Sequence, residues 1–370
     1  MGENVLKKER IPYVDVLKFL GIFAIYIGHF LDAGGFAHDF VFQYHVPLFF
    51  FISGCMVTVE KTRKFFPYFI HKVQTILLPW LFFALLAVIV KVLDNNQNIS
   101  HIREYLKLIV LGCERNNFIA AGLWFLTCLF VMSIAFHIIQ KVRSKILMLI
   151  ICVLLLLLQQ GALGVRMPGF FNVWNISSAM YYLLYYCLGY VLFPYIHKFL
   201  KTGSVVTNSV MVVTGIFAAA FSALLFFGKN LFGFLYDVPF LKYFAPVLVA
   251  CIVIWLNVLA AYCLRNVQLF QNIGRTTLYL CGSEFLVKTL VFRTAELFGL
   301  NIQVLTPLAV YIYTYILLVI TYKFLVPVEK SALNAILNTA KSAWNSVVHK
   351  NAAATTEKEQ AGEPQTESNP

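Results

Sequence analysis

RIPYVDVLKFLGIFAIYIGHFLD, residues 10–32, decides the fold. From about Val14 to Leu31 it is almost wholly apolar, the length a helix needs to cross a hydrocarbon core of about 30 Å. Between Val14 and Leu31 three side chains carry or take up charge near neutral pH: Asp15, Lys18 and His29. Lys18 and His29 are eleven residues apart. At 100° per residue that is a net rotation of about 20°, so the two share a face, about 16 Å apart along the axis. Asp15, three residues before Lys18, is in pairing range. Asp32, three residues after His29, is placed to orient its ring. The segment has no small-residue cleavage site, so it reads as a retained helix and not a signal peptide.

The rest of the chain follows the same pattern. Of 370 residues, 60% are apolar and 12% charged, and 35 are Phe. Soluble domains carry about 25% charged residues. A water-soluble core does not hide this much apolar surface, whereas lipid does. Besides 14–31, nine further runs reach spanning length: 42–59, 74–93, 118–139, 146–160, 177–197, 205–228, 240–264, 272–292 and 303–326. The fifth run is short and the ninth carries polar residues. The predicted fold is an all-α integral membrane protein with about ten transmembrane helices.

The net charge of +12 is distributed as a topology signal and as contacts for anionic lipid. Lys and Arg crowd the segment before helix 1 and the loops after helices 2, 4, 6 and 8, so both termini are predicted to be cytoplasmic. The loop after helix 3 departs from the pattern, with Arg103, Lys107 and Arg115, but it also carries Asp94, Glu104 and Glu114. No basic patch with interleaved aromatics lies in a soluble segment, so nucleic acid is not an expected partner. The eight Cys form no CxxC pair and seven lie inside apolar runs. Packed thiols are expected, with neither a disulfide framework nor a metal site.

Three regions follow. Residues 1–326 form the transmembrane domain. In 327–350, Leu333, Ile336, Leu337, Trp344, Val347 and Val348 recur at helical spacing among Lys330, Lys341 and Lys350, which predicts an amphipathic helix on the membrane surface. Residues 351–370 have the composition of a disordered tail.

Charges inside membrane helices are costly unless paired or hydrated, so they mark candidate functional positions. An interfacial Lys that snorkels outward is the everyday alternative for Lys18, and a packed His bonded to a carbonyl is that for His29. His45 opens the second run, ahead of Pro47, which suits a first helical turn. A short connection to helix 1 would bring His45 near His29. Helix 9 carries Glu284, with Lys288 four residues on in ion-pair spacing.

Five segments resemble the acyltransferase 3 family of membrane-bound acyltransferases. They are Arg10 to Lys18 followed by His29, matching an Arg/Lys-x10-His pattern; His45-Val-Pro-Leu-Phe-Phe-Phe-Ile-Ser-Gly54; Phe69-Ile-His-Lys72 leading to Leu78-Pro79; Leu123-Trp-Phe-Leu126; and Gly274-Arg-Thr-Thr-Leu-Tyr-Leu280. Order and spacing hold over about residues 8–326. There are two departures: Lys72-Val-Gln-Thr75 stands where the family often has Arg-x-x-Arg, and Glu284 lies near where it often has His.

The resemblance implies transfer of an acyl group, usually acetyl, from cytoplasmic acyl-CoA to a hydroxyl of a cell-envelope or extracellular polysaccharide or its lipid-linked precursor. The setting would be the cell (plasma or inner) membrane. The expected catalytic residues are His29, as general base or as transient acyl carrier, with His45, Asp32 and Glu284. Arg10, Lys18 and Lys72 are the candidates to hold the CoA phosphates. The separation of Lys18 from His29 is comparable to an extended pantetheine arm. A transporter or exporter of glycan or lipid is the competing reading. It lacks the matching pair of Gly/Pro-broken helices that secondary transporters carry.

Overall fold

Helices occupy all ten apolar runs. The computed structural model describes residues 10–30, 35–57, 64–94, 101–115, 120, 122–165, 167–229, 232–299 and 307–339. Among these, every regular element is helical: α1 (Pro12–Gly28), α2 (Phe36–Phe42), α3 (His45–Val57), α4 (Phe65–Lys72), α5 (Leu78–Asp94), α6 (Ile102–Val110), α7 (Leu123–Ile139), α8 (Lys145–Gln159), α9 (Ile176–Thr202), α10 (Val205–Phe226), α11 (Ala245–Cys263), α12 (Gln268–Gly274), α13 (Thr277–Leu297) and α14 (Pro307–Ile320).

Six helical stretches are long and apolar enough to cross a membrane: Phe36–Val57, Phe65–Leu93, Gly169–Thr202, Val205–Phe226, Leu241–Cys263 and Leu308–Thr339. The chain is thus a multi-pass membrane protein. The helices α7 and α8 are apolar but shorter. α1 has 17 residues, and α13 carries Glu284, Lys288, Arg293 and Glu296. These four account for the difference between six and the ten runs.

Residues 1–326 form one compact unit and 327–370 a second. In the second, 327–339 are helical, with Leu333 buried and Ile336 exposed. Trp344, Val347, Val348 and the tail lie outside the described residues.

Local sequence accounts for the breaks. Pro12 opens α1, where a missing N–H costs nothing. The helix from Phe36 to Val57 is interrupted at Gln43 and Tyr44, because Pro47 offers no N–H to the carbonyl four residues back. The third run starts at 65, earlier than its apolar stretch, because Phe65–Lys72 is helical but polar on one side. Between α4 and α5 the turn widens into a π-helix at Val73–Leu77, ahead of Pro79, whose ring would otherwise meet the carbonyl of Thr75.

Three glycines at two helix–helix contacts fix the inner packing. α3 lies on α9 with Gly54 against the carbonyl of Tyr186 and Gly189 against that of Phe51; a Cβ at either would overlap the carbonyl oxygen. α12 lies on α1 through Gly274, where a Cβ would overlap the carbonyl of Asp15. Small residues that let backbones touch are the means by which helices associate in lipid, where the hydrophobic effect gives no drive.

Candidate active site between helices α1, α3 and α13

α13 is held in register on α1 by the Tyr26 hydroxyl, which donates to the carbonyl of Leu280 at 2.8 Å. One turn further along both helices, Glu284 meets His29. His29 is the C-cap of α1, and its Nδ1 lies 2.7 and 2.6 Å from the two carboxylate oxygens of Glu284. Lys288 Nζ lies 2.8 Å from Glu284 Oε1 and donates to the carbonyl of Tyr26 at 3.4 Å. Its ammonium also sits 4.7 Å from the centre of the Phe30 ring. The Glu284 side chain is 4% exposed and that of His29 22%. A carboxylate this deep survives because two partners surround it.

The carboxylate only accepts, so the short bond is an Nδ1–H donated by His29. The neutral ring then keeps its lone pair on Nε2. This is the carboxylate–imidazole relation that orients a general base and favours the imidazolium once it forms. The orienting group therefore comes from α13, 255 residues away, where the sequence suggested His45 or Asp32. Asp32 lies outside the described residues. His45 is buried and donates Nδ1–H to the carbonyl of Val41 at 2.7 Å, with the Phe42 ring packed edge-on at 4.9 Å. It is within electrostatic range of His29, Glu284 and Arg115. Its fixed tautomer also leaves Nε2 as an acceptor.

At the other end of α1, Asp15 is shared. Lys18 Nζ lies 3.4 Å from Oδ1 and Arg275 Nε donates to Oδ2 at 3.0 Å. Two cations on one carboxylate leave this end net positive. Arg275 was visible in the sequence as part of the Gly274-Arg275 segment, but its link to Asp15, across 260 positions, was not.

Arg10 is exposed just before α1. Lys72 is buried over the Tyr68 ring, 5.1 Å from its centre, and Tyr68 stacks on His137 at 4.2 Å. It belongs to the α4–α7 contact and does not line the cavity at Lys18.

Two cavities include near neighbours of the histidines in α1 and α3, although neither imidazole lines them. One, of about 140 Å³, is largely apolar; Lys18, Ile25, Phe49, Ile52, Ser53, Met56, Phe125, Leu126, Leu129, Thr277, Leu278 and Cys281 line it. It runs along α1 from Lys18 to Ile25, one turn short of His29. The other, of about 320 Å³, is polar and includes Gln43 and Pro47, the residues on either side of the His45 turn, together with Arg115 and three tyrosines of α9. One cavity is thus apolar with a cation among its lining residues, and the other is polar.

No curated protein and no solved structure matches the chain significantly. The model of the acyltransferase 3 family, described as an acyltransferase domain, matches residues 11–325. Those limits enclose α1, α3 and α13 and every residue of the His29–Glu284–Lys288 and Asp15–Lys18–Arg275 clusters. The chain belongs to the acyltransferase 3 family, and it is a membrane acyltransferase.

Proposed function

We propose that this protein moves an acyl group, acetyl in the simplest case, from cytoplasmic acyl-CoA to a hydroxyl of an envelope glycan or its lipid-linked precursor. It would do so in the cell membrane, with ten helices crossing and both termini cytoplasmic. The observation that carries the reading is the His29–Glu284 pair standing one turn beyond the apolar cavity that begins at Lys18.

A hydroxyl is a poor nucleophile near neutral pH, so a base within hydrogen-bond reach is required. His29 Nε2 takes the hydroxyl proton as the oxygen bonds to the thioester carbonyl carbon. Glu284 stabilises the imidazolium through Nδ1–H. When the tetrahedral centre collapses, the carbon–sulfur bond breaks and the same proton leaves Nε2 for the departing thiolate. The ester, free CoA and neutral His29 remain. Lys18 and Arg275, with Arg10 nearby, form the cationic end suited to the CoA phosphates. The apolar cavity admits the pantetheine arm, whose length is comparable to the ~16 Å rise from Lys18 to His29. His45 Nε2 is available to the acceptor hydroxyl or to the carbonyl of the acyl group through a water.

The test is transfer of label from radiolabelled acetyl-CoA into envelope glycan, in membranes holding wild type or His29→Ala at equal abundance. Labelling by wild type that drops by about 10²-fold or more in the variant supports the reading. Equal labelling makes His29 structural and ends it. If wild type transfers neither acetyl nor succinyl, an exporter of intact glycan becomes the better account.

A further inference from the structure

The polar cavity contains a cation that the catalytic scheme does not use. Arg115 lines it, exposed, with its guanidinium 5.1 Å from the Trp124 ring centre and 5.6 Å from that of Tyr182. Among the described residues it has no carboxylate partner. Its position is built: the Arg115 backbone N–H donates to Asn175 Oδ1 at 2.8 Å. Asn175 Nδ2 in turn donates to the carbonyl of Gly112 and to Thr127 Oγ1, at 3.1 and 2.9 Å. Asn175 is buried and in the left-handed conformation, φ 58°, which Asn tolerates better than most residues. A buried amide thus fixes the backbone that presents one exposed guanidinium.

The guanidinium is a planar fork matched to carboxylate and phosphate, and it stacks on aromatic faces without losing its donors. Around it the cavity offers Gln43, Gln159 and the hydroxyl-bearing rings of Tyr181, Tyr182 and Tyr185. Amides and phenols both donate and accept, and flat rings suit the faces of sugar rings. At about 320 Å³ the space is at the small end of ligand sites, roughly 300–1,000 Å³.

We infer that this cavity is the acceptor subsite and that it selects a sugar bearing a negative charge, with Arg115 receiving its carboxylate or phosphate. This rests on the acyl-transfer reading for what is done to the sugar, but not for its binding. The charge would lie beside the hydroxyl presented toward His45 and His29, so Arg115 would set which hydroxyl is acylated.

The test is binding to the full chain in detergent, read as the rise of melting temperature with sugar concentration. The probes are methyl glucuronide, glucose 1-phosphate and neutral methyl glucoside. At least one anionic sugar is expected to bind about tenfold or more tighter than the glucoside. Arg115→Gln is expected to lower that affinity about ten- to a hundredfold and to change glucoside affinity several-fold less. Arg115→Lys, which keeps charge without the fork, is expected between the two, and it carries the test should the Gln variant fail to fold. The arm that responds tells a uronic-acid acceptor from a sugar phosphate. Equal binding of the glucoside, indifference to Arg115 substitution, or no binding of either anionic sugar overturns the inference. Acyl transfer is not read here. Failed acetyl labelling beside intact glucuronide binding would sink the catalytic reading alone; good labelling with indifferent sugar binding would sink this one alone.

Discussion

Glu284 holds His29 and Lys288 on one carboxylate, and substitution can separate the two duties. Glu284→Gln leaves Lys288, 15% exposed, as a buried cation without its counter-charge, which costs about 3–5 kcal/mol when such a pair is broken. The Glu284→Gln/Lys288→Met double variant removes both charges, and its stability is expected to return to within about 1–2 kcal/mol of wild type. Acyl transfer is not expected to return with it, because His29 still lacks the carboxylate. Melting in detergent beside acetyl transfer from labelled acetyl-CoA reads the two separately. A double variant that regains both stability and activity would reduce Glu284 to a structural ion pair. Each member of this cluster stood out singly in the sequence: His29 by its spacing from Lys18, and Glu284 with Lys288 by the i,i+4 rule. Their union did not, since spacing reports on neighbours along one helix and says nothing about which helices touch. For the same reason Arg115 read as a loop charge that spoiled the topology pattern, although Trp124, which it stacks on, lay in plain view in the Leu123-Trp-Phe-Leu126 segment.

The helices themselves were largely legible because lipid demands long apolar runs. What escaped was polar helix: Phe65–Lys72, and the amphipathic α6, whose apolar residues alternate with Arg103, Glu104 and Lys107. The contacts between elements rest on glycines that sequence marks but does not pair. Gly54→Ala is expected to push α3 off the Tyr186 carbonyl of α9, and Gly274→Ala to push α12 off the Asp15 carbonyl of α1. Overpacking of this kind costs about 1–3 kcal/mol, seen as a lower melting temperature. The two should differ in function. Gly274→Ala also displaces Arg275 from Asp15 and should raise KM for acyl-CoA. Gly54 meets the Tyr186 carbonyl of α9 and touches neither Asp15 nor Arg275. Gly54→Ala should therefore lose stability and, although Ser53 and Met56 beside it line the cavity with Lys18, raise KM less. Equal effects of the two on KM would contradict the assignment of Asp15, Lys18 and Arg275 to the donor end.

At the scale of the whole molecule, ten crossings and six both place the two termini on one side, because both numbers are even. The loops between them distinguish the two cases. If all ten helices cross, the chain has passed twice by Lys64 and five times by Leu163, so Lys64 shares the side of the termini and Leu163 faces the other. If only the six long apolar helices cross, Lys64 follows one crossing and Leu163 two, and the sides are exchanged. There is a physical reason for the four weaker helices to cross. α1 buries most of its residues, Asp15 among them, and α13 neutralises Glu284 and Lys288 within the protein. Helices enclosed by other helices need little hydropathy, since lipid does not touch their charges. A length of 17 residues, about 25 Å at 1.5 Å per residue, falls a little short of the hydrocarbon core, which the bilayer or flanking side chains can absorb. Lys64→Cys and Leu163→Cys, each placed in a chain whose own cysteines are replaced by Ser or Ala, answer the question with a membrane-impermeant maleimide. The positive-inside pattern predicts that intact cells label Leu163→Cys and spare Lys64→Cys, and that inverted vesicles do the reverse. The exchanged result would leave six crossings. It would also remove the route by which a donor bound at Lys18 reaches a hydroxyl across the membrane.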